Sequence, residues 1–163
     1  AGLPMGTRTG DIDPSVILHL IDNLGYTTSE VSHMLNKQSG MLGMTGFSDF
    51  RDLVSQSEQG NEECKEALSL YAYRIKKYIG AYTAVMNGLD AIVFTAGAGE
   101  NCKEIRALAC EGLDYIGVDL DEKLNDVKPK ELTELQTKTS KVKILIIPTN
   151  EELEIAKQAF ELI

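Results

Sequence analysis

Apolar residues recur at two different spacings along this chain, and the two spacings predict a mixed α/β fold. Over residues 61–86 they return every three or four positions, which is the period of an amphipathic helix. Residues 90–95 and 142–147 instead form short, nearly continuous apolar runs, as buried strands do. Each run ends in a turn and is followed by a helical pattern, so we expect the strands to be at least partly parallel.

Capping residues predict a helical hairpin near the start of the chain. Residues 14–38 are expected to form its two helices, the first opened by Asp13 and Pro14. Thr27 and Glu30 have the spacing of a capping box at the second helix.

The remaining stretches alternate between loop, helix and strand. Residues 39–51 contain three glycines and no clear period, which predicts a loop. A helix is expected over 103–112, a short strand over 115–120, and an exposed excursion with one edge strand over 121–141. A terminal helix is expected over 151–162. Its candidate packing positions are Leu153, Ile155, Ala156, Ala159 and Phe160.

Composition and charge argue against several classes of protein. With 43% hydrophobic and 25% charged residues, the 163-residue chain fits one globular domain. Its net charge of −9 argues against non-specific nucleic-acid binding and against an anionic membrane surface. No apolar stretch reaches the ~20 residues that span a bilayer, and no signal peptide is visible. Three cysteines without metal-ligand spacing fit a reduced, cytoplasmic protein.

The residues after the first predicted strand carry the clearest chemical signal. The strand runs into Thr95, and a Gly-Ala-Gly turn at residues 97–99 leads into a helical pattern that starts at Glu100. A helix start presents unpaired N–H groups and a positive dipole end, and glycine lets a phosphate approach the backbone. The segment predicts a phosphate and nucleoside cradle. The alternative is a tight strand-to-helix turn without a ligand.

An arginine in the N-terminal loop is the second candidate. Arg8 lies between glycines in the segment MGTRTGDIDP, which leads into the first helix. A guanidinium on such a loop can hold a phosphoryl group through two hydrogen bonds. The alternative is a surface ion pair with Asp11 or Asp13.

A third candidate is the segment GFSDFRD at residues 46–52. Phe50 can stack on a base, Asp49 can bind a ribose, and Arg51 can lie over the base. The alternative is an ordinary helix start that Ser48 caps.

The fourth candidate follows the second predicted strand, in the segment PTNEE at residues 148–152. A carboxylate there can hold Mg²⁺, directly or through water. The alternative is a set of acidic residues that simply favour the first turn of a helix.

These segments resemble those of acetate kinases, in the same order and along the whole chain. The matching motifs are MGTRTGDIDP, LNKQSGMLGMTGFSDFRDL, YRIKKYIGAY, VFTAGAGEN, EGLDYIGVDLD and IIPTNEEL. The chain is similar to the C-terminal domain of an acetate kinase, in the actin, Hsp70 and sugar-kinase superfamily. The resemblance implies a single nucleotide-binding, ribonuclease H-like α/β domain over residues 1–163, with a mixed sheet flanked by helices.

The resemblance also implies an activity and a set of site residues. The activity is ATP- and Mg²⁺-dependent, reversible phosphoryl transfer to acetate, with acetyl phosphate as the product. Arg8 matches the family's transition-state arginine, and Glu151 matches its Mg²⁺ ligand. The nucleotide-contacting positions are Asp49, Phe50, Arg51, Gly97, Ala98, Gly99, Glu100 and Asn101. The family forms homodimers through this domain, so self-association is expected as well.

The chain departs from the family pattern in two kinds of feature. Ala98 replaces the isoleucine usual in TAGIGEN, which loosens an apolar wall near the base, whereas Thr9 replaces a serine and keeps its hydroxyl. The family's N-terminal domain, with the first phosphate loop and the acetate pocket, is absent, and the chain begins at Ala1 without a Met. We therefore expect a fragment that is inactive alone.

Other functions stay open on the sequence. Propionate and butyrate kinases share the scaffold, and the absent domain holds most of the acyl pocket. A non-catalytic nucleotide-binding module is a second class of function. A third is a dimerisation module, for which the long helix offers Tyr71, Tyr78 and Tyr82.

Overall fold

The computed structural model describes residues 2–129 and 131–162. Their contacts divide the chain into two compact units, Ala1–Tyr82 and Thr83–Ile163. Each unit has its own buried side chains. The assignment of residues 1–163 to a single nucleotide-binding domain of a longer enzyme stays a prediction.

Helices make up the first unit, and the last of them continues into the second. They are α1 (Pro14–Asp22), α2 (Thr28–Lys37), α3 (Gly40–Thr45), α4 (Phe50–Glu58) and α5 (Glu62–Met86). Asp13 caps α1 by accepting a hydrogen bond from the Ser15 amide. Thr27 and Glu30 form a capping box on α2. The predicted hairpin and its caps are therefore confirmed.

Residues 39–51 are not the loop that the sequence predicts, because α3 and the start of α4 lie within them. The Met41 and Leu42 amides donate to the Met5 and Gly6 carbonyls, at 2.9 and 2.8 Å. These bonds to a distant part of the chain hold a helix in a glycine-rich stretch whose own helical propensity is low.

The apolar stripe of α5 is buried over its first half only. The buried apolar side chains of the first unit are Val31, Met41, Leu53, Cys64, Ala67, Leu68 and Ala72. From Tyr73 onward, every residue of α5 is half-buried or exposed. The long helix therefore forms as predicted, but its second half adds no buried side chain to a core.

The second unit contains a three-stranded mixed sheet. Its elements are β1 (Ala91–Phe94), α6 (Ala96–Asn101), α7 (Lys103–Cys110), α8 (Glu122–Asn125), β2 (Thr133–Glu134), β3 (Lys143–Ile146) and α9 (Glu151–Glu161). The strand order is β1-β3-β2, with β1 parallel and β2 antiparallel to β3. The predicted parallel pair is confirmed. So is the edge strand within residues 121–141, although Lys130 of that stretch lies outside the described residues.

The strand predicted over residues 115–120 does not form. A 3-10 turn occupies Asp114–Ile116, and Gly117 follows with a φ of +88°. Leu120 pairs with Gln136 in a single isolated bridge. The apolar residues of this stretch therefore surround a turn, which a period of two cannot distinguish from a short strand.

Fewer apolar side chains of the sheet and of the terminal helix are buried than the sequence predicts. Ile92, Phe94, Ile144 and Ile146 are buried, whereas Val93, on the opposite face of β1, is 48% exposed. Helix α9 forms, but the packing predicted for it is wrong within the described residues. All five positions that the sequence predicts to pack are exposed: Leu153, Ile155, Ala156, Ala159 and Phe160. An amphipathic pattern predicts a helix and its apolar face, but not whether the same chain covers that face.

The three cysteines are buried, and no disulfide joins them. Burial raises the pKa of the Cys102 thiol to about 11, so this thiol is protonated at neutral pH. Within residues 2–129 and 131–162, no group of three or more His, Cys, Asp or Glu side chains is arranged to hold a metal ion. No helix in the same residues has the length and apolar character that crossing a membrane requires.

Two isoleucines give a matched test of where the second unit is held together. Ile144 on β3 is fully buried, so Ile144→Ala is expected to lower the free energy of unfolding by about 2–5 kcal/mol. Ile155 on α9 is 67% exposed, so Ile155→Ala is expected to change it by less than about 0.5 kcal/mol. Urea unfolding followed by circular dichroism measures both. Equal losses in the two variants would contradict this pattern of burial.

Candidate functional site

The loop that carries Arg8 is anchored to α5 through Asp11. The Asp11 carboxylate accepts hydrogen bonds from the Arg74 guanidinium at 2.9 Å and from the Tyr78 hydroxyl at 2.7 Å. The Gly2 carbonyl accepts from Arg74 at 3.1 Å and from the Asp11 amide at 3.0 Å. The hydrogen bond to Asp11 raises the pKa of Tyr78. The base of the loop is therefore fixed on the long helix.

The rest of this loop lies against α3 and the start of α4. A Cβ on Gly40, whose φ is +62°, would lie 2.0 Å from the Met5 carbonyl oxygen and 2.5 Å from that of Arg8. A Cβ on Gly6 would lie 2.6 Å from the Ser48 carbonyl oxygen. Glycine at these two positions lets the backbones approach closely. The second and third candidate segments of the sequence analysis, the Arg8 loop and residues 46–52, are thus neighbours.

Arg8 itself is exposed, and its guanidinium has no hydrogen-bond or ion-pair partner among the described residues. The ion pair left open by the sequence does not form, because Asp11 is bound to α5 and Asp13 caps α1. An uncommitted guanidinium on an anchored loop is well suited to bind an anion.

Asp49 and Arg51 form an ion pair at the start of α4. Asp49 caps this helix by accepting from the Arg51 amide at 2.8 Å, so the alternative cap at Ser48 is wrong. The Arg51 Nη2 and Nε atoms donate to the same carboxylate at 2.5 and 3.0 Å. Hydrogen bonds from the Arg51 side chain and amide lower the pKa of Asp49 to about 2. Because the Arg51 side chain is 88% exposed, solvent screens this pair.

Phe50 contacts the long helix from between these two residues. Its ring centroid lies 4.6 Å from that of Tyr71, with the ring planes at 58°. Tyr71 and Tyr78 are therefore both half-buried and have partners within the first unit, and the association surface suggested for them from the sequence stays a prediction. Tyr82 is 58% exposed and so remains accessible to a second copy of the chain.

In the second unit, the glycine segment after β1 is helical where the sequence predicts a turn. Helix α6 begins at Ala96, whose φ of +57° is unusual for a residue with a Cβ. The amides of Gly97 and Ala98 donate no hydrogen bond to the described residues. These N–H groups are therefore available to a ligand.

Gly97 is not required by the fold. Its φ is not left-handed, and a Cβ built on it would have no atom within 4 Å. Gly99 differs, because its Cβ would lie 3.3 Å from the Phe94 carbonyl carbon. A glycine that neither the backbone nor the packing needs is consistent with a ligand that approaches the main chain from solvent.

Glu100 joins α6 to the residues that follow β3. Its carboxylate accepts from the Thr149 amide at 2.9 Å, the Thr149 hydroxyl at 3.0 Å and the Ala96 amide at 2.7 Å. These bonds lower the pKa of Glu100, and the bond from the Thr149 amide has the largest effect. The Thr95 hydroxyl also donates to the Ile147 carbonyl at 2.8 Å. The first and fourth candidate segments, residues 95–101 and 148–152, therefore meet at the carboxyl ends of two parallel strands.

Glu151 is the first residue of α9, next to this junction. Asn150 caps the helix by accepting from the Leu153 amide at 2.9 Å. The Glu151 carboxylate is exposed and accepts no hydrogen bond from the described residues. Glu152 and Glu154 complete an acidic first turn, as the alternative interpretation expects. A free carboxylate also suits Mg²⁺, which takes one or two protein carboxylates together with waters and substrate phosphates.

Arg106, which no candidate motif of the sequence includes, is hydrogen-bonded to α6. Its side chain is 1% exposed, and its guanidinium donates to the carbonyls of Gly99 and Glu100 at 2.9 and 2.8 Å. The available signal was an arginine beside Ile105 on the apolar side of a predicted helix, since arginine is almost never fully buried unless it is paired.

The structure thus brings the predicted residues together in two groups. In the first unit, the loop of Arg8 closely approaches Gly40 and Ser48, and Ser48 directly precedes residues 49–51. In the second unit, Glu100 is hydrogen-bonded to Thr149, two residues before Glu151 in the chain.

Solved structures of two kinases superimpose on this chain. The acetate kinase of Porphyromonas gingivalis matches with a TM-score of 0.90 and 40% identity, over 98% of this chain and 40% of its own. A propionate kinase from Francisella tularensis matches with a TM-score of 0.86 and 41% identity, over 95% and 39%. The fold is therefore the ribonuclease H-like α/β fold of the actin, Hsp70 and sugar-kinase superfamily, as the resemblance predicts.

Sequence comparison gives the family. The model of the Acetokinase family matches residues 1–157, and the chain belongs to that family. The acetate kinase of Flavobacterium johnsoniae is 55% identical over 162 residues, which cover 99% of this chain and 41% of that protein. The chain thus spans about two fifths of the length of the relatives it matches.

The Asp49–Arg51 pair makes a pH-dependent contribution to the stability of the fold. NMR can follow the titration of Asp49 that underlies it. The pKa of about 2 in the folded chain lies below the unfolded value of about 3.9, so the stabilising contribution is complete above about pH 4. It is lost as the pH falls from about 4 to about 2. We expect the Asp49 carboxyl carbon to titrate near pH 2. Arg51→Gln should raise this midpoint toward the ordinary value.

Lys65→Gln is the control for this titration. It removes an exposed ion pair with Glu62 and should leave the Asp49 midpoint unchanged. An unaltered chain in which Asp49 titrates near its usual pH of about 3.9 would contradict the pairing described above.

Proposed function

We propose that this chain is the nucleotide-binding part of an acetate kinase that acts in the cytoplasm. The complete enzyme would catalyse ATP- and Mg²⁺-dependent, reversible phosphoryl transfer to acetate, giving acetyl phosphate. The observation that carries the proposal is the junction at Glu100, which joins α6 to Thr149 where parallel strands end. Open α/β sheets bind their ligands at this edge. The 55% identity to a protein named acetate kinase supports the substrate.

The proposed reaction needs positioning and charge stabilisation more than covalent chemistry from the protein. The bond between the γ-phosphorus and the β–γ bridging oxygen breaks, and ADP leaves with the electron pair. An acetate oxygen forms the new bond to phosphorus. Because charge spreads over the equatorial phosphoryl oxygens, groups that hold the nucleotide and counter this charge supply most of the catalysis.

Arg8 is the proposed catalytic residue. Its guanidinium is exposed and uncommitted, and its loop is fixed by Asp11 and by the close approach at Gly40. A guanidinium can donate to two phosphoryl oxygens at once. We therefore assign Arg8 to the transferring phosphoryl group.

Residues 49–51 are the proposed adenosine contacts. The Phe50 ring is held by Tyr71, and the Arg51 guanidinium is held by Asp49. Both flat groups are ordered in advance, which lowers the entropy cost of stacking on adenine. Three donors of Arg51 bind the Asp49 carboxylate, which leaves about one of its four acceptor positions for a ribose hydroxyl.

Helix α6 is the proposed second nucleotide contact. The free amides of Gly97 and Ala98 donate to the nucleotide, and the open space at Gly97 admits it. Asn101 donates to the Gly97 carbonyl at 3.0 Å and so supports the same turn. We assign Glu100 to positioning, because its carboxylate is occupied by Thr149.

Glu151 is the proposed Mg²⁺ ligand. Its exposed carboxylate lies two residues after Thr149 and has no hydrogen-bond partner among the described residues. It is therefore available to bind Mg²⁺, which commonly takes only one or two carboxylates from a protein. Bound Mg²⁺ would neutralise charge on the β- and γ-phosphates.

Propionate kinase is the second candidate function, because a propionate kinase matches this chain with a TM-score of 0.86. The family resemblance places most of the acyl pocket outside the stretch that this chain covers. The proposed nucleotide site therefore serves both substrates equally. A butyrate kinase or a non-catalytic nucleotide-binding module has no comparable support.

We also propose that the chain self-associates. Apolar side chains near the end of α5 are exposed: Tyr82 by 58%, Val85 by 82% and Met86 by 61%. Exposed apolar clusters of this kind favour association with a second copy.

A chimera tests the enzyme assignment and Arg8 together. This chain replaces the matching segment of the Flavobacterium johnsoniae acetate kinase, and hydroxamate formation from acetate and ATP is measured. The chimera is expected to be active, and Arg8→Ala to lower kcat by about 10³-fold or more, as for other transition-state arginines. Lys37→Ala removes an exposed cation on α2 and is expected to leave kcat unchanged.

The isolated chain is expected to show no turnover, since it spans only 41% of that enzyme. Turnover by the isolated chain, or an Arg8→Ala chimera as active as its parent, would overturn these assignments.

Sedimentation velocity tests the proposed self-association. The unaltered chain is expected to sediment as a dimer, and Val85→Glu as a folded monomer, because Val85 is too exposed to support the fold. A parent chain that stays monomeric at high concentration is the contrary result.

A further inference from the structure

Arg106 and Asn125 are the buried polar residues of the described chain, and they bind each other. The Arg106 Nε donates to the Asn125 side-chain oxygen at 2.7 Å, and its Nη2 donates to the Asn125 carbonyl at 2.9 Å. The Asn125 amide group donates to the Lys103 carbonyl at 2.9 Å. The Arg106 Nη1 donates to the carbonyls of Gly99 and Glu100. One guanidinium therefore ties α6 to α7 and α8.

The burial of this charge is not offset by an ion pair. No carboxylate of the described residues forms a salt bridge with Arg106. Burial lowers the pKa of Arg106, although an arginine stays protonated in a protein. An apolar side chain would fill the same space without the desolvation cost. The contribution of Arg106 at this position is therefore its hydrogen bonds, which an apolar side chain of the same volume could not form.

Helix α6 needs support from outside itself. It has six residues, two of them glycines, and Ala96 at its start is in the left-handed region. Helices this short do not form alone in water. Glu100 holds the first amide of α6, and Arg106 holds two of its carbonyls near the other end.

We propose that Arg106 is a positioning residue that fixes α6 in the conformation that binds nucleotide. The nucleotide part of this inference rests on the proposed function. The planar guanidinium reaches two successive carbonyls and Asn125 at the same time, whereas a lysine ammonium presents a single nitrogen. By binding the carbonyls of Gly99 and Glu100, Arg106 fixes the peptide groups 99–100 and 100–101, and these anchor the end of the turn that carries the Gly97 and Ala98 amides.

The test compares Arg106→Lys and Arg106→Met in the 163-residue chain. Amide exchange is followed by NMR, and Mg-ADP affinity is measured by chemical-shift titration well below the melting temperature. Exchange over residues 96–101, apart from the unpaired Gly97 and Ala98 amides, should accelerate by about tenfold in Arg106→Lys and further in Arg106→Met, while β1 and β3 keep the parent rates. The Mg-ADP dissociation constant should rise by about tenfold in Arg106→Lys, the effect of losing one charge-assisted hydrogen bond.

Asp126→Asn is the matched control. It adjoins Asn125 and removes an exposed ion pair with Lys103, but it leaves Arg106 and its partners in place. Neither the exchange rates over 96–101 nor the Mg-ADP affinity should change.

If the Arg106 variants do not fold, Asn125→Ala provides the same test. It removes the acceptor of the Arg106 Nε and should change both measurements in the same direction by a smaller factor. Parent exchange rates over 96–101 in Arg106→Met would overturn the proposal. So would equal acceleration in β1 and β3 with unchanged Mg-ADP affinity, which is the result for a merely structural arginine.

The two proposals fail in different ways. An unaltered chain that binds no Mg-ADP contradicts the proposed function of the site. The exchange rates over 96–101 still decide whether Arg106 holds α6.

Discussion

The parallel pairing of β1 with β3 is the constraint on which the candidate region of the second unit depends. Because the strands run in the same direction, their carboxyl ends meet, and the chain segments that follow become neighbours. Thr95 and Ile147 are hydrogen-bonded across a sequence separation of 52 residues for this reason. The register, with Phe94 opposite Ile146, decides which residues meet. A slip by one residue would turn the buried isoleucines outward and separate Glu100 from Thr149.

Charged side chains hold both candidate regions without themselves being free to bind a ligand. In the first unit, Asp11 is occupied by α5, which leaves Arg8 exposed on a fixed loop. In the second unit, Glu100 and Arg106 bind the backbone at either end of α6, which leaves the amide of Gly97 unpaired. In such a site the ligand-binding groups are exposed, and other residues hold them in the required orientation.

The sequence predicts the elements whose signal is local, and it misses those held by distant contacts. Apolar runs and caps located β1, β3, α5 and the first hairpin. Helices α3 and α6 were not predicted, because glycine-rich stretches have low helical propensity. Hydrogen bonds to Met5, Gly6 and Thr149 stabilise them instead. The identities of the candidate ligand-binding residues came from a family resemblance. The supporting role of Arg106 has no local pattern, since its partners are on α6 and α8.

The proposed function requires that the amides at the start of α6 bind a nucleotide, and NMR tests this most directly. On titration with Mg-ADP, the Gly97 and Ala98 amides should shift in a saturable manner. Gly97→Val should abolish the shifts, whereas Gly80→Val, at an equally open helical glycine of α5, should preserve them. Unshifted Gly97 and Ala98 amides at saturating Mg-ADP, or shifts that survive in Gly97→Val, would contradict the account.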